Sequence, residues 1–141
     1  MKLLIFILLL SGCAPQHLSG SGVPAAPPAG YEIYCALPYK AGVEPLWQPI
    51  TEAGGTCSDY ASAKFSRLLE LGWPLLMLRL ACCYVTDVAP PDNYHAVLLV
   101  ELEESGTVVL DNRYPDVMAY DLLPYKWDRI QIAGTQNWEM A

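Results

Sequence analysis

The stretch Gly54–Phe65, GGTCSDYASAKF, contains a helix start that carries a cysteine. Thr56, followed three positions later by Asp59, fits the capping box, in which a hydroxyl residue begins a helix and an acid follows. Cys57 then occupies the first helical position, where the positive end of the helix dipole favours a thiolate. Cysteine is also among the residue types most often buried, so this stretch alone leaves a packing role open.

The pattern after Cys57 predicts that the helix buries one face and ends before a turn. The turn is the Gly72–Pro74 segment, which is a typical stop signal. Residues at helical spacing define the predicted inward face: Cys57, Ala61, Lys64 and Leu68. Cys57 is therefore expected close to the core, next to whatever the helix packs against.

Two strands and a tight turn are predicted downstream, over Asn93–Leu102 and Thr107–Tyr114. If Val97 pairs with Asp111, His95 lies two residues away on the same face, within reach of the carboxylate. A carboxylate beside a histidine can orient the imidazole and stabilise its charged form. A slip of one residue would separate the two side chains. Each residue alone also fits a purely structural role, His95 as a buried core residue and Asp111 as a residue at the end of a strand.

The chain has five cysteines, and their positions disfavour a zinc site. Cys82 and Cys83 are adjacent in a predicted strand, so they point to opposite faces and one of them can reach Cys35. The connectivity stays open, because sequence does not determine it. There is no Cys-x-x-Cys pair, and His95 is the single histidine of the predicted domain. Cys57 is expected to remain a free thiol.

The N-terminus is predicted to direct export. Residues 1–12 combine a lysine with an apolar run that is too short to span a bilayer, which is typical of a signal peptide. The segment ending at Cys13 resembles the bacterial lipobox, whose cysteine is lipidated; an ordinary signal peptide is the alternative. Residues 13–30 are rich in Pro, Gly, Ser and Ala and are expected to form a flexible tether. Residues 31–141 are then one folded domain.

Charge and composition exclude several function classes. The net charge is −7, and lysine and arginine do not cluster, which argues against a nucleic-acid partner. The sequence has no glycine-rich phosphate loop and no internal repeat. Nucleotide and nucleic-acid functions are therefore set aside.

The ordered motifs resemble those of the bacterial transglutaminase-like cysteine proteinases. The matching pieces are GGTCSDYASAKF, the following Leu-Gly-x-Pro and Leu-Arg, HAVL and LDN, with WQP upstream and, more loosely, YKWDRIQ downstream. They cover most of residues 44–132. Cys57, His95 and Asp111 follow one another at spacings of 38 and 16 residues. The resemblance implies an α+β papain-like core, with a cysteine-bearing helix packed on an antiparallel sheet that carries the histidine and the aspartate.

The same resemblance implies roles for individual residues. Cys57 would be the nucleophile, His95 the general base and later acid, and Asp111 the residue that orients His95. Backbone N–H groups at the helix start would bind the oxyanion, with Gln48 as a side-chain donor. The implied activity is hydrolysis of an amide bond in an extracytoplasmic protein by a peptidase that Cys13 tethers to the cell envelope. Two alternatives stay open: acyl transfer to an amine by the same thioester, and a non-catalytic lipoprotein that binds an envelope partner.

One departure from the family pattern concerns calcium. Members that release large surface adhesins carry acidic residues on both sides of the cysteine, linked to calcium binding, where this sequence has Thr56 and Ser58. Asp59 alone supplies too few acidic ligands to predict a cation site. We therefore expect no cofactor and no metal, with calcium as the disfavoured alternative, and the departure also weakens an adhesin as the substrate.

Overall fold

The computed structural model describes residues 47–103, 106–114 and 117–141. These residues form one α-helix, two short 3₁₀-helices and six strands. The helix α1 spans Cys57–Glu70, and the 3₁₀-helices span Leu75–Met77 and Tyr120–Leu122. The strands are β1 (Leu78–Val85), β2 (Tyr94–Leu102), β3 (Gly106–Leu110), β4 (Met118–Ala119), β5 (Tyr125–Gln131) and β6 (Trp138–Met140).

The six strands form one antiparallel sheet in the order β4-β3-β2-β1-β5-β6. The first four strands follow one another across the sheet, and β5 then returns to the free side of β1. The helix α1 packs mainly on β2 and also on β1. The predicted α+β class, with a helix on an antiparallel sheet, is confirmed.

The helix begins and ends where its sequence signals predict. Thr56 is the N-cap, and the Asp59 carboxylate accepts its backbone N–H at 3.0 Å. After Glu70 the chain turns through Gly72, whose φ of 92° is readily adopted by glycine. The predicted inward face is buried along its whole length, with Cys57, Ala61, Lys64 and Leu68 at most 6% exposed.

The hairpin of β2 and β3 has the predicted register. Leu98 pairs with Leu110, and continuing the ladder by one residue places Val97 opposite Asp111. The predicted strand over 107–114 is too long, because β3 ends at Leu110. Asp111 accepts the backbone N–H of Arg113 at 2.8 Å, so its side chain starts a turn at that point.

The sheet carries an apolar layer on each face. Leu98 and Val100 pack with Leu68 of the helix, whereas Val97 and Leu99 pack in a second layer with Tyr125. The neighbouring cysteines divide in the same way, since Cys82 packs beside Cys57 and Cys83 lies in the second layer. Both are buried free thiols, and Cys35 lies outside the described residues.

The predictions for the N-terminus lie outside the described residues. Residues 1–12, Cys13 and the 13–30 segment all precede residue 47, where the description begins. Within the described ranges, the structure contains no helix with the length and apolar character needed to cross a bilayer. The signal peptide, the lipidation site and the tether therefore stay predictions.

Candidate active site

The helix start places Cys57 between the helix and the sheet. Its side chain is 6% exposed and packs with Cys82 of β1 and Ala96 of β2. Trp47 and Trp138 pack against this cluster from two other segments of the chain. Cys57 therefore lies at the first turn of a helix and is enclosed by packed side chains, as a nucleophile that must be held in place requires.

His95 contacts both of the other predicted site residues. Its Nε2 atom lies 2.7 Å from Oδ1 of Asp111, in a pair that is almost completely buried. The Cys57 side chain is a second hydrogen-bonding partner of the ring. Since Nε2 is engaged by Asp111, we assign the bond to the thiol to Nδ1. The ring thus connects a carboxylate to a sulfur atom, one on each nitrogen.

The surroundings of His95 favour the protonated ring. Burial on its own lowers the pKa of this histidine, but the hydrogen bonds to Asp111 and Cys57, and the charge of Asp111, outweigh burial. The pKa of His95 rises from 6.5 to about 9 as a result. At neutral pH the ring therefore carries a proton, which it can share with sulfur or donate to a leaving group.

Asp111 is a fully buried carboxylate with several hydrogen-bond donors around it. Oδ1 accepts bonds from His95 Nε2 and from the backbone N–H of Arg113, and Oδ2 accepts the hydroxyl of Tyr125. Burial alone raises the pKa of Asp111, but these donors, with His95 first among them, hold the pKa below its usual range. Asp111 therefore stays ionised, as a residue that orients a protonated histidine must.

Residues 47 and 48 are fastened to the start of α1 by side chains of the helix. The backbone N–H of Gln48 donates to Oδ1 of Asp59 at 2.8 Å, and that of Thr56 donates to Oδ2 at 3.0 Å. The backbone N–H of Trp47 approaches Oγ of Ser58 at 3.4 Å. Both oxygens of Asp59 are therefore occupied by backbone donors, and Gln48 is placed beside the helix start with an exposed side chain.

A small cleft of about 130 Å³ lies next to Cys57. It is lined by Trp47, Cys82, Tyr94, Arg129 and Trp138. The two indole rings are 5.5 Å apart between their centroids. Two of the lining residues share a partner, because Asp128 accepts both the Tyr94 hydroxyl at 2.7 Å and Nε–H of Arg129 at 3.1 Å.

The structure therefore brings Cys57, His95 and Asp111 together and places Gln48 beside them, whereas Cys13 lies outside the described residues. Two residues that contact this site were not predicted from the sequence. Tyr125 bonds to Asp111 from β5, and Trp138 completes the cleft from β6. Both reach the site because β5 returns beside β1, which no local pattern indicates.

The described part of the chain contains no group of three or more His, Cys, Asp or Glu side chains placed to hold a metal ion. The helix start offers one carboxylate, that of Asp59, and its oxygens already accept two backbone N–H groups. Calcium takes six to eight oxygen ligands, several of them carboxylates. The residues at the helix start do not fit a calcium site.

Comparisons with known proteins point in one direction. The family model described as bacterial transglutaminase-like cysteine proteinase (BTLCP) matches residues 37–140. Legionella pneumophila LapG is structurally similar, with a TM-score of 0.60 and 18% identity over 79% of this chain and 65% of that chain. Its calcium-bound form gives a TM-score of 0.59 at 18% identity with the same coverage of both chains.

The EGTA-treated form of LapG gives a TM-score of 0.54 and 19% identity, over 79% of this chain and 67% of that chain. At this identity the likeness shows the fold alone. The chain spans 65% of the length of the first two LapG structures. No curated protein sequence matches it.

Proposed function

The chain belongs to the bacterial transglutaminase-like cysteine proteinase family, and from this premise we propose that it is a cysteine peptidase whose nucleophile is Cys57. The observation that carries the proposal is the contact of His95 with both Asp111 and Cys57. A nucleophile, a base and a residue that orients the base are the three parts that such catalysis requires.

The proposed reaction has two stages. The Cys57 thiolate attacks the carbonyl carbon of an amide, and His95 gives its proton to the nitrogen that leaves, so that a thioester and a free amine result. A water molecule then attacks the thioester carbonyl while His95 takes a proton from it. The acid is released, and the thiolate and the protonated histidine are restored. Asp111 keeps the imidazole in place through both stages.

The oxyanion of each tetrahedral intermediate needs hydrogen-bond donors at the helix start. We assign this role to backbone N–H groups there, including that of Cys57, and to the side-chain amide of Gln48. The support for Gln48 is its position, because its backbone N–H is bonded to Asp59 and its side chain is exposed.

The substrate is proposed to be a protein outside the cytoplasm. The cleft beside Cys57, of about 130 Å³, offers room for a small part of such a substrate. Residues 1–12 are proposed as a signal peptide, Cys13 as the lipidated residue and 13–30 as the tether of a domain in the cell envelope. The support for these three assignments is their sequence pattern.

The proposed enzyme works without calcium, although a structure of LapG is calcium-bound. Addition of calcium, or its removal by EGTA, is expected to leave both the Tm and the alkylation rate of Cys57 unchanged. The reason is that the backbone N–H groups of Gln48 and Thr56 already occupy the Asp59 oxygens. Thermal unfolding with and without calcium tests this, because a ligand of the native state raises the Tm. A rise of several degrees with calcium would contradict the expectation.

Alkylation of Cys57 with iodoacetamide, followed by mass spectrometry from pH 5 to pH 9, tests the proposed function without a known substrate. Cys57 is expected to react rapidly well below pH 8, and His95→Ala is expected to slow it roughly 10-fold or more. Since the pKa of His95 is raised to about 9, the ring keeps its proton below that pH and loses it above. The two rates should therefore approach each other as the pH rises toward 9.

The buried cysteine Cys83 is the internal control of that experiment, since burial raises the pKa of its thiol and it should stay unmodified in the folded chain. If Cys57 reacts no faster than an ordinary thiol, or if His95→Ala leaves its rate unchanged, the thiolate–imidazolium pair does not exist. The packing role of Cys57 would then be the correct one.

A further inference from the structure

We propose that Tyr125 is a positioning residue, which holds the Asp111 carboxylate in the orientation that His95 requires. The inference rests on the proposed function, because it assigns a role within the same site. Tyr125 is 8% exposed and lies on β5, three positions across the sheet from the strand end that carries Asp111. Tyr125 acts through Asp111, and we assign it no contact with a substrate.

The hydrogen bonds of Asp111 divide between its two oxygens. Oδ1 takes His95 Nε2 at 2.7 Å and the Arg113 backbone N–H at 2.8 Å, and Oδ2 takes the Tyr125 hydroxyl. Asp111 is 0% exposed, so water does not replace a donor that is lost. A carboxylate with one unsatisfied oxygen in such a place is destabilised and is free to turn away from its other partners. Tyr125 therefore holds the second carboxylate oxygen of Asp111, Oδ2, in place.

Arg113 directs the Tyr125 hydroxyl toward Asp111. Its Nη1 donates to Oη of Tyr125 at 3.3 Å, so that oxygen acts as an acceptor on one side. The phenolic proton is then left for Asp111. Nη2 of Arg113 is held in turn by both carboxylate oxygens of Asp87 at 2.8 Å. The guanidinium also lies 5.9 Å from the centroid of the Tyr125 ring.

The environment of Tyr125 keeps its proton available. Burial and the charge of Asp111 both raise the pKa of this phenol, so it stays protonated throughout the working range of a cysteine peptidase. The ring also meets His95 edge-on, with 6.2 Å between the centroids. Tyr125 thus restrains the histidine by packing and the aspartate by a hydrogen bond, and both restraints aim Nδ1 of His95 at Cys57.

A double-mutant cycle tests this role with the full chain and iodoacetamide as the probe. Tyr125→Phe removes the hydroxyl, keeps the ring and is expected to slow alkylation of Cys57 at pH 7 about 10-fold. In the Asp111→Ala background the same change is expected to alter the rate less than about 2-fold, because the carboxylate that accepts the hydroxyl is already removed. Tyr120→Phe is the matched control: Tyr120 stacks on Trp127 in the same apolar layer, and the rate should stay unchanged.

The outcomes separate the inference from the proposed function. If wild-type alkylation does not depend on His95, the proposed function fails. If it depends on His95 but Tyr125→Phe has no effect, only the positioning role fails. An equal effect of Tyr125→Phe in both backgrounds would mean a general structural role and would also overturn the inference.

If thermal denaturation shows that the Tyr125→Phe variant is partly unfolded, a second variant still tests the positioning role. Arg113→Gln leaves the phenol in place and removes the group that directs its proton. It is expected to slow alkylation roughly 3-fold in the wild-type background and not in the Asp111→Ala background. Equal slowing in both backgrounds, or no slowing in either, would again overturn the positioning role.

Discussion

Replacing Cys57 by alanine is expected to reduce peptide-bond hydrolysis by a factor on the order of 10⁶. The variant has no atom that can form the thioester, and neither His95 nor Asp111 can substitute for it. Hydrolysis is measured on a mixed peptide library by mass spectrometry, with the wild-type chain defining which bonds are cut. Since only one buried sulfur is removed, the fold should persist, with a loss of stability of about 1 kcal/mol.

Cys83→Ala is the matched control for Cys57→Ala. It makes the same change at a buried cysteine that lies in the apolar layer on the other face of the sheet. Its hydrolysis rate should stay within a few-fold of the wild-type rate at a similar Tm. If Cys57→Ala retained a tenth of the wild-type rate, Cys57 would not be the nucleophile.

His95→Ala is expected to have the second largest effect, a loss on the order of 10⁴-fold or more in kcat. Without the ring, no group activates the thiol, protonates the leaving amine or deprotonates the water. Asp111→Asn is expected to lose less than either other variant, because Asp111 acts only through His95. The three kcat values are compared on whichever library peptide the wild-type chain cuts fastest.

The order of these losses is the test of the assigned roles. An Asp111→Asn variant that lost more than His95→Ala would mean that Asp111 does more than orient the ring. Equal activity in all three variants would remove the mechanism altogether. Thermal unfolding of each variant shows whether a loss reflects chemistry or an unfolded chain.

Much of the fold follows from short-range patterns. Thr56 and Asp59 predict the helix start, and the spacing of Ala61 and Leu68 predicts the face that packs on the sheet. Strand and turn signals predict the hairpin of β2 and β3. They do not determine its register, because β2 is apolar on both faces and a one-residue slip would exchange one buried set for another. The family assignment is confirmed as well. The roles of Cys57, His95 and Asp111 stay predictions, supported by the contacts that the structure brings about.

What the sequence does not predict depends on contacts between distant segments. Tyr125 reaches Asp111 only because β5 pairs with β1 and β3 lies on the other side of β2. Strand order is a property of the whole sheet, and no local period encodes it. The overlong prediction for β3 has a local cause, since nothing in the alternation reveals that Asp111 begins a turn by accepting the N–H of Arg113.

The contact between Trp47 and Trp138 has a consequence for when the site can exist. One wall of the cleft comes from residue 47 and the facing wall from residue 138, with 5.5 Å between the ring centroids. A chain under synthesis cannot build this wall until residue 138 has emerged, and contacts over such a sequence separation form late in folding. The helix and the nucleophile are therefore made long before the site that would use them. A chain that has not yet reached residue 138 is therefore expected to lack one wall of the cleft beside its nucleophile.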